Sequence, residues 1–242
     1  MSLVSHESTE SAGKLSWRTS VLVAQNLTIE RGDLQLCSQV SFNIASGQIL
    51  HIQGPNGIGK TTLLMMLVGL LPTPKIYLKN RALDWAGMST SEWPVLYIGH
   101  LAGLNAELSV RENLVFLQGI NTASCMNLSR ALDIVGLSGY EDVAISRLSS
   151  GQKRRVSLAR LWLSHDPEAL WLLDEPFNSL DVSMTRLLSE RLALHAEGGG
   201  RVILTSHQAF MFSVQTLDLE QFALTEGEEN TDVASADREY PN

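Results

Sequence analysis

Short apolar runs alternate with segments of helical periodicity along most of the chain. Six runs rich in apolar and β-branched residues predict strands, at residues 21–29, 34–44, 48–53, 93–99, 169–174 and 201–206. Residues 60–71 predict a helix, and residues 109–163 are mostly helical in pattern, with Gly136 and Gly139 as breaks. Because strands that alternate with helices form a parallel sheet covered on both faces, we expect an α/β fold with a helical insertion near residues 105–150.

The two ends of the chain differ from this core in composition. Residues 1–19 and 220–242 are polar and poor in large apolar side chains, so we predict two disordered tails around a domain at residues 20–219. The C-terminal segment contains seven acidic residues and one basic residue, which accounts for most of the formal net charge of −8. The domain itself is therefore close to neutral.

Composition excludes several classes of protein. An acidic chain lacks the basic surface that non-specific nucleic-acid binding requires, so no nucleic-acid partner is expected. The two cysteines, Cys37 and Cys125, have neither pairing nor metal-ligand spacing, which excludes a disulfide framework and a zinc site. The longest apolar run, residues 63–71, is much shorter than the ~20 residues of a membrane-spanning helix. The N-terminus does not resemble a secretory signal, so a role at a membrane would require a membrane-bound partner.

The most specific motif, G-x-x-x-x-G-K-[ST], lies between a predicted strand and a predicted helix. It is matched by a segment named here the phosphate loop, which consists of Gly54, Pro55, Asn56, Gly57, Ile58, Gly59, Lys60 and Thr61. Backbone N–H groups and the helix N-terminus would bind the phosphates of ATP. Lys60 would reach the β- and γ-phosphates, Thr61 would bind Mg²⁺, and Thr62 would add a phosphate contact. The alternative, a glycine-rich turn with an exposed lysine, fits motif and context less well.

An acidic pair follows the predicted strand at residues 169–174. Asp174 and Glu175 should lie at the carboxyl edge of the sheet, where open α/β folds bind ligands. Asp174 is then suited to hold the metal through its water shell, and Glu175 to polarise an attacking water molecule. Alone, such a pair is usually an N-terminal charge pair of a helix, but the phosphate loop favours the catalytic interpretation.

The motifs and their order resemble the ATP-binding cassette (ABC) ATPases. The sequence LSSGQ, which contains Ser149, Ser150, Gly151 and Gln152, is similar to the LSGGQ signature of that family, and it lies between the phosphate loop and WLLDEP. The resemblance covers roughly residues 20–215. It implies a P-loop NTPase ABC cassette with a RecA-like parallel-sheet core, an antiparallel β subdomain and a helical signature subdomain at about residues 101–155.

The family resemblance also implies roles for residues outside the phosphate loop. Two cassettes would form a head-to-tail homodimer in which the four signature residues of one subunit contact the ATP of the other. Asp181 would link the two sites. His207 would contact the γ-phosphate and hold Glu175 and the water, although a lone histidine that ends a strand is more often a buried structural residue.

Two positions depart from the family pattern. His100 stands where most ABC ATPases carry a glutamine, and an imidazole is a different hydrogen-bonding partner for Mg²⁺ and water than an amide. Arg31 occupies the region of the aromatic residue that stacks on adenine. A guanidinium can stack on a base, but a solvated surface arginine is the commoner case.

Longer segments resemble the ATP-binding subunits of cytochrome c maturation transporters, also called haem exporter ATPases. These are YIGHLAGLNAELSVRENLVF, GQKRRVSLARLWL and ILTSHQ. The resemblance implies an ATP hydrolase of the haem-transporting class, peripheral on the cytoplasmic face of the bacterial inner membrane. Its partners would be an integral membrane permease subunit and cytochrome c maturation factors, with His100 coupling the site to the permease.

The surface for such a permease is predicted less specifically. An apolar strip near His100 could contact it, formed by Leu101, Leu104, Leu108, Val110, Leu114 and Phe116. Equally, each of these could be an ordinary core residue of the helical subdomain.

Three other functions remain open at this point: the ATPase of another ABC exporter, a soluble ABC protein of translation or DNA repair, and a nucleotide-binding regulator without turnover. The soluble class usually carries two cassettes or a long coiled-coil insertion, and neither is present. Glu175 and His207 argue against a regulator.

Overall fold

A computed structural model describes residues 21–71, 76–78, 81–83, 94–100, 103–120, 128–164, 166–208, 210 and 212–224. The strands in these residues are β1 (Val21–Arg31), β2 (Leu34–Ala45), β3 (Ile49–Gln53), β4 (Ile76–Leu78), β5 (Arg81–Leu83), β6 (Val95–Ile98), β7 (Leu170–Leu173), β8 (Arg201–Thr205) and β9 (Gln215–Asp218). The α-helices are α1 (Lys60–Leu67), α2 (Val110–Ile120), α3 (Leu128–Ile134), α4 (Ser150–Leu163) and α5 (Val182–Glu197).

The strands form two sheets with different topology. Five strands build a parallel sheet in the order β6-β7-β8-β3-β9. Four others build an antiparallel sheet in the order β2-β1-β4-β5. The predicted α/β fold, with a parallel core, an antiparallel β subdomain and a helical insertion, is confirmed.

Apolar side chains on the two faces of the parallel sheet enter two separate cores. Alternate residues of the buried strand β7 face opposite sides, so Leu170 and Leu172 pack with α1 and the antiparallel sheet. Trp171 and Leu173 pack with α3, α4 and α5 on the other side. Since both faces are covered, every residue of β7 is buried and apolar, which explains the continuous apolar run in the sequence.

The end of one helix and three short strands differ from the sequence prediction. The helix predicted at 60–71 ends at Leu67, because Gly69 adopts a left-handed backbone conformation with φ of 78°. The predicted breaks at Gly136 and Gly139 also have positive φ, and both lie between α3 and α4. Strands β4, β5 and β9 were not predicted, since they span only three or four residues and carry little periodicity.

The prediction that the acidic tail begins at Glu220 is wrong, because the fold extends past this residue. Residues Leu219–Phe222 form a 3₁₀-helix, and Leu219 is fully buried. Ala223 forms a β-bridge with Cys37 in β2, so the fold continues to this point. Residues 1–19 and 225–242, the remainder of the two predicted tails, lie outside the described residues.

The apolar strip predicted for a permease is mostly core. Val110 and Leu114 are fully buried, and Leu104 packs against the same core. Leu108 is half-buried and Leu101 lies outside the described residues. Only Phe116 is strongly exposed, at 65% of its surface, beside the exposed Val115. Among the described helices, none has the length and apolarity to cross a bilayer.

Candidate functional site

A cavity of about 800 Å³ lies at the carboxyl edge of the parallel sheet. Strands β3, β6, β7 and β8 run parallel, so the loops that follow them meet at this edge. The predicted site residues that line the cavity are Asn56, Gly57, Gly59, Lys60, Thr61, Thr62, His100, Asp174, Glu175 and His207. Residues far apart in sequence are therefore brought together as the motifs predict.

The phosphate loop owes its shape to three glycines with positive φ. Gly54, Gly57 and Gly59 have φ of 133°, 88° and 108°, a region that disfavours any residue with a side chain. Gly59 is also closely packed, because a Cβ atom there would lie 2.7 Å from Cγ2 of Ile29. The chain can thus curl at the start of α1, where first-turn N–H groups lack intrahelical partners.

Lys60 is the cation of this loop. Its Nζ atom donates hydrogen bonds to the carbonyl oxygens of Gly54 and Pro55, at 2.7 and 3.0 Å. The ammonium group is thereby held over the curve of the loop. A cation and several N–H groups at a helix N-terminus form a site for an anion.

Asp174 is almost fully buried at the end of β7, and both carboxylate oxygens have partners. The Thr61 hydroxyl donates to Oδ2 and the Thr205 hydroxyl donates to Oδ1, each at 2.7 Å. The carboxylate therefore joins the start of α1 to the end of β8. Thr61 and Asp174 present hard oxygen atoms of the kind that Mg²⁺ prefers. The Thr61 hydroxyl could bind such an ion directly, and the Asp174 carboxylate could hold it through its water shell.

Glu175 has an unusual backbone conformation for a residue with a side chain. Its φ is 47°, and its N–H group donates to the Thr205 hydroxyl at 2.8 Å. Its carboxylate is 13% exposed, and Oε1 lies 3.4 Å from Nε2 of His207. His207 is 61% exposed and is therefore not a buried structural histidine.

A buried histidine supports the loop that carries His207. His51 in β3 donates from Nε2 to the carbonyl of Ser206 at 2.9 Å, while Nδ1 accepts from Gln53. Burial lowers the pKa of His51, and the bond to Ser206 opposes that shift. The neutral ring is thus favoured, which fits one donating and one accepting nitrogen.

The signature residues are not brought into this cavity. Ser149 is the N-cap of α4, and it forms a reciprocal capping box with Gln152. Ser150 is exposed, and Gly151 packs against the carbonyl of Ser179, 3.3 Å from the place of a Cβ atom.

Asp181 also acts within this chain as a helix cap. Its Oδ1 atom accepts from the Met184 N–H group and the Ser183 hydroxyl, and its Oδ2 atom is paired with Arg155 of α4. The cap of α5 therefore holds the start of this helix next to the signature helix.

Several residues at the site could not be named from the sequence. The cavity is also lined by Glu30 and Asn178, which lie beside the sequence candidate Arg31 but were not themselves candidates. Thr205 is fully buried at the end of β8 and touches both acidic residues, yet a single threonine in a buried strand carries no motif. Arg154 contacts the backbone of both acidic residues from α4, and the pattern of a helix does not reveal a buried arginine.

Comparisons with known proteins identify the family of this chain. Residues 37–178 match the family model for the ABC transporter. The cytochrome c biogenesis ATP-binding export protein CcmA of Mannheimia succiniciproducens is 41% identical over 218 residues, which cover 86% of this chain and 97% of that protein.

Solved structures show the same fold. An ABC transporter ATP-binding protein from Pyrococcus furiosus superposes with a TM-score of 0.68 at 20% identity, covering 85% of this chain and 100% of that one. A dimeric ATP-binding cassette solved with ADP and Pi gives 0.64 at 22% identity, covering 78% and 88% of the two chains. The chain belongs to the ABC transporter family, in the branch that contains the cytochrome c biogenesis ATP-binding export proteins.

Proposed function

We propose that this chain hydrolyses ATP in the cavity at the sheet edge and is the nucleotide-binding subunit of an exporter for cytochrome c biogenesis. The observation that carries the chemistry is the meeting of the phosphate loop, Asp174, Glu175 and His207 in one cavity. The assignment to cytochrome c biogenesis rests on 41% identity over nearly the whole of a relative with that name.

ATP binding would begin at the phosphate loop. The N–H groups at the start of α1 bind the phosphates, and Lys60 moves from its carbonyl partners toward the β- and γ-oxygens. Thr62 adds a contact on the first turn. Arg31 lies on the wall of the same cavity, so it remains the candidate to stack on the adenine.

Mg²⁺ would be held by the hydroxyl of Thr61 and the carboxylate of Asp174. When bound, the ion neutralises part of the charge on the phosphate oxygens. The 2.7 Å contact between these two groups already places both oxygens on one side of the cavity. Thr205 holds the other carboxylate oxygen, so Asp174 cannot turn away.

Hydrolysis would use Glu175 and His207. Glu175 polarises a water molecule and takes its proton as the water oxygen bonds to the γ-phosphorus, and ADP leaves with the electrons of the broken bond. His207 lies close enough to orient the Glu175 carboxylate and to donate to the γ-phosphate. His100 lines the same cavity and could bind the metal's water shell where other cassettes use an amide.

A second copy of the chain would complete the site. Ser149 and Ser150 are exposed at the start of α4, where N–H groups can bind phosphate. Val182 follows Asp181, the cap of α5 that is paired with Arg155 of α4. Its side chain is 88% exposed, which is unusual for an apolar residue and fits a surface covered by another subunit. A homodimer with one signature over each phosphate loop accounts for both features.

The membrane partner would be an integral permease subunit that acts with cytochrome c maturation factors. We place the present chain, as a peripheral subunit, at the cytoplasmic face of the bacterial inner membrane, where ATP is available. His100 and the exposed side chains of Val115 and Phe116 are the described residues best suited to receive the permease.

Complementation tests the proposed function. In a bacterium that lacks its own cytochrome c biogenesis ATP-binding export protein, expression of this chain should restore haem-containing c-type cytochromes. The Lys60→Ala variant should not, because it lacks the cation that binds phosphate. Haem staining of membrane proteins measures the outcome.

Two results would contradict this function. One is failure of the expressed, ATP-hydrolysing chain to restore the cytochromes. The other is restoration by Lys60→Ala to the same level as the unchanged chain. Co-purification with ribosomes in place of an integral membrane protein would point to the soluble ABC class.

A further inference from the structure

One buried arginine joins the signature helix to the acidic pair. Arg154 lies on α4, two residues after Gln152 of the signature, and only 7% of its surface is exposed. Its Nη2 atom donates to the carbonyl oxygens of Asp174 and Glu175, both at 2.8 Å. Its Nη1 atom donates to the carbonyl of Gly99, also at 2.8 Å. The guanidinium therefore ties α4 to the carboxyl ends of β6 and β7.

The hydrogen bond from Arg154 to the Glu175 carbonyl helps to hold a strained backbone conformation. A left-handed φ at a residue with a side chain persists only where the surroundings hold it. The N–H side of Glu175 is held by Thr205, and its carbonyl accepts from Arg154 and from the N–H group of Asn178. Because the backbone conformation sets the direction of the side chain, these partners orient the carboxylate.

The other end of this connection is the start of α4. Ser149 and Gln152 close a capping box, so the first turn of the helix and Arg154 form one rigid unit. A shift of the signature residues would therefore move the guanidinium. The carbonyl of Gly99, next to His100, would move with it.

We propose that Arg154 is a positioning residue that couples the signature end of α4 to the orientation of Glu175. This inference rests on the proposed role of Glu175 in hydrolysis. A contact made by a second copy at Ser149 would reach the attacking water through this single side chain.

Electrostatics agree with the geometry. Burial lowers the pKa of Arg154, and the negative charges of Asp174 and Glu175 act in the opposite direction. The two acidic residues thus favour the charged guanidinium, whose three hydrogen bonds go to backbone carbonyls.

Replacement of Arg154 by Met tests the proposal. ATP affinity should stay the same, because the hydrogen bonds of Arg154 go to β6 and β7 and none goes to the phosphate loop. The turnover number should fall on the order of 100-fold, as for a misplaced reacting group. Arg154→Lys keeps the charge and one or two donors, so its turnover should lie between those of Arg154→Met and the unchanged chain.

The chain offers a matched control on the same helix. Arg160 also donates from Nη1 to a strand carbonyl, that of Tyr97, but it does not contact the acidic pair. Arg160→Met therefore removes a partly buried arginine of α4 and should lower the stability while it leaves the turnover of the folded protein nearly unchanged. Thermal unfolding of both variants shows what part of any loss comes from stability.

A double variant separates positioning from a general structural effect. If Arg154 acts through Glu175, Arg154→Met should not slow the residual turnover of Glu175→Gln any further. Equal losses in the two backgrounds, or equal losses in Arg154→Met and Arg160→Met, would overturn the proposal. Absence of ATP turnover in the unchanged chain would instead overturn the proposed function, and the inference with it.

Discussion

Two threonine hydroxyls hold Asp174 by its two oxygens, and one of them also fixes Glu175. Thr205 is fully buried, donates to Oδ1 of Asp174 and accepts from the N–H group of Glu175. Thr205 and Asp174 are buried, so the loss of a partner here leaves a charged or backbone group desolvated without compensation. The geometry of the site therefore depends on single hydrogen-bond partners that belong to no sequence motif.

Thr205→Val should damage the site without changing its volume. Valine has nearly the same shape, but it leaves one carboxylate oxygen and one N–H group without a partner. We expect the free energy of unfolding to fall by about 2 kcal/mol and ATP turnover to fall with it. Denaturant unfolding and an ATPase assay measure the two effects.

The control for this prediction is Thr205→Ser, which keeps the hydroxyl. It should retain most of the stability and turnover. If the valine variant matched the unchanged chain in both assays, or if serine were as damaging as valine, the hydroxyl would not have the role that the hydrogen bonds indicate.

Among the elements, α5 packs on β7 through an unusual pair of rings. His195 stacks on Trp171 with ring centroids 3.6 Å apart and an interplanar angle of 2°. The Nε2 atom of His195 donates to the carbonyl of Ala169 at 2.9 Å. Burial lowers the pKa of His195 to about 4, so the neutral ring belongs to the folded state. The packing of α5 on β7 should therefore depend on pH.

Stability should therefore fall in acid through His195. The unfolded chain binds a proton at this residue below its usual pKa of about 6.5, whereas the folded chain does so only near pH 4. The contribution of His195 is fully present above pH 6.5 and is lost as the pH falls toward 4. At pH 4.5 the loss amounts to roughly 2–3 kcal/mol.

His195→Phe isolates this effect. Phenylalanine can keep the ring stack but does not titrate. It removes one of the two donors to the Ala169 carbonyl, which keeps the N–H group of Arg201, and we expect this loss to cost about 1 kcal/mol at every pH. The free energy of unfolding should thus fall less between pH 7.5 and 4.5 in the variant than in the unchanged chain. An equal fall in both proteins would show that His195 does not carry the dependence.

The elements with strong patterns were the ones that the sequence could predict. Buried strands such as β7 and β8 read as continuous apolar runs, and the phosphate loop is defined by its glycines and Lys60. Strand β9 could not be found, because its pairing with β3 is set by tertiary contacts and only Leu217 of its four residues is buried. The role of Arg154 could not be predicted for a similar reason, since its partners are backbone atoms at the ends of distant strands.

On the scale of the whole molecule, one parallel sheet collects four loops at its carboxyl edge and thereby forms the nucleotide site. The antiparallel sheet and α1 cover one face, and α3, α4 and α5 cover the other. The β-bridge between Ala223 and Cys37 shows that the fold extends to Ala223. Most of the acidic residues of the C-terminal segment follow this residue in the sequence. The working domain is near neutral, and local groups at the phosphate loop attract ATP.

The proposed hydrolysis of ATP depends most on Glu175 as the residue that polarises water. The most direct measurement is ATP turnover by purified Glu175→Gln, with equilibrium ATP binding recorded on the same sample. An amide keeps the shape and the contact with His207 but cannot accept a proton. We predict unchanged ATP binding and a loss of turnover of about 10²–10⁴-fold. Turnover near that of the unchanged chain would contradict the central claim.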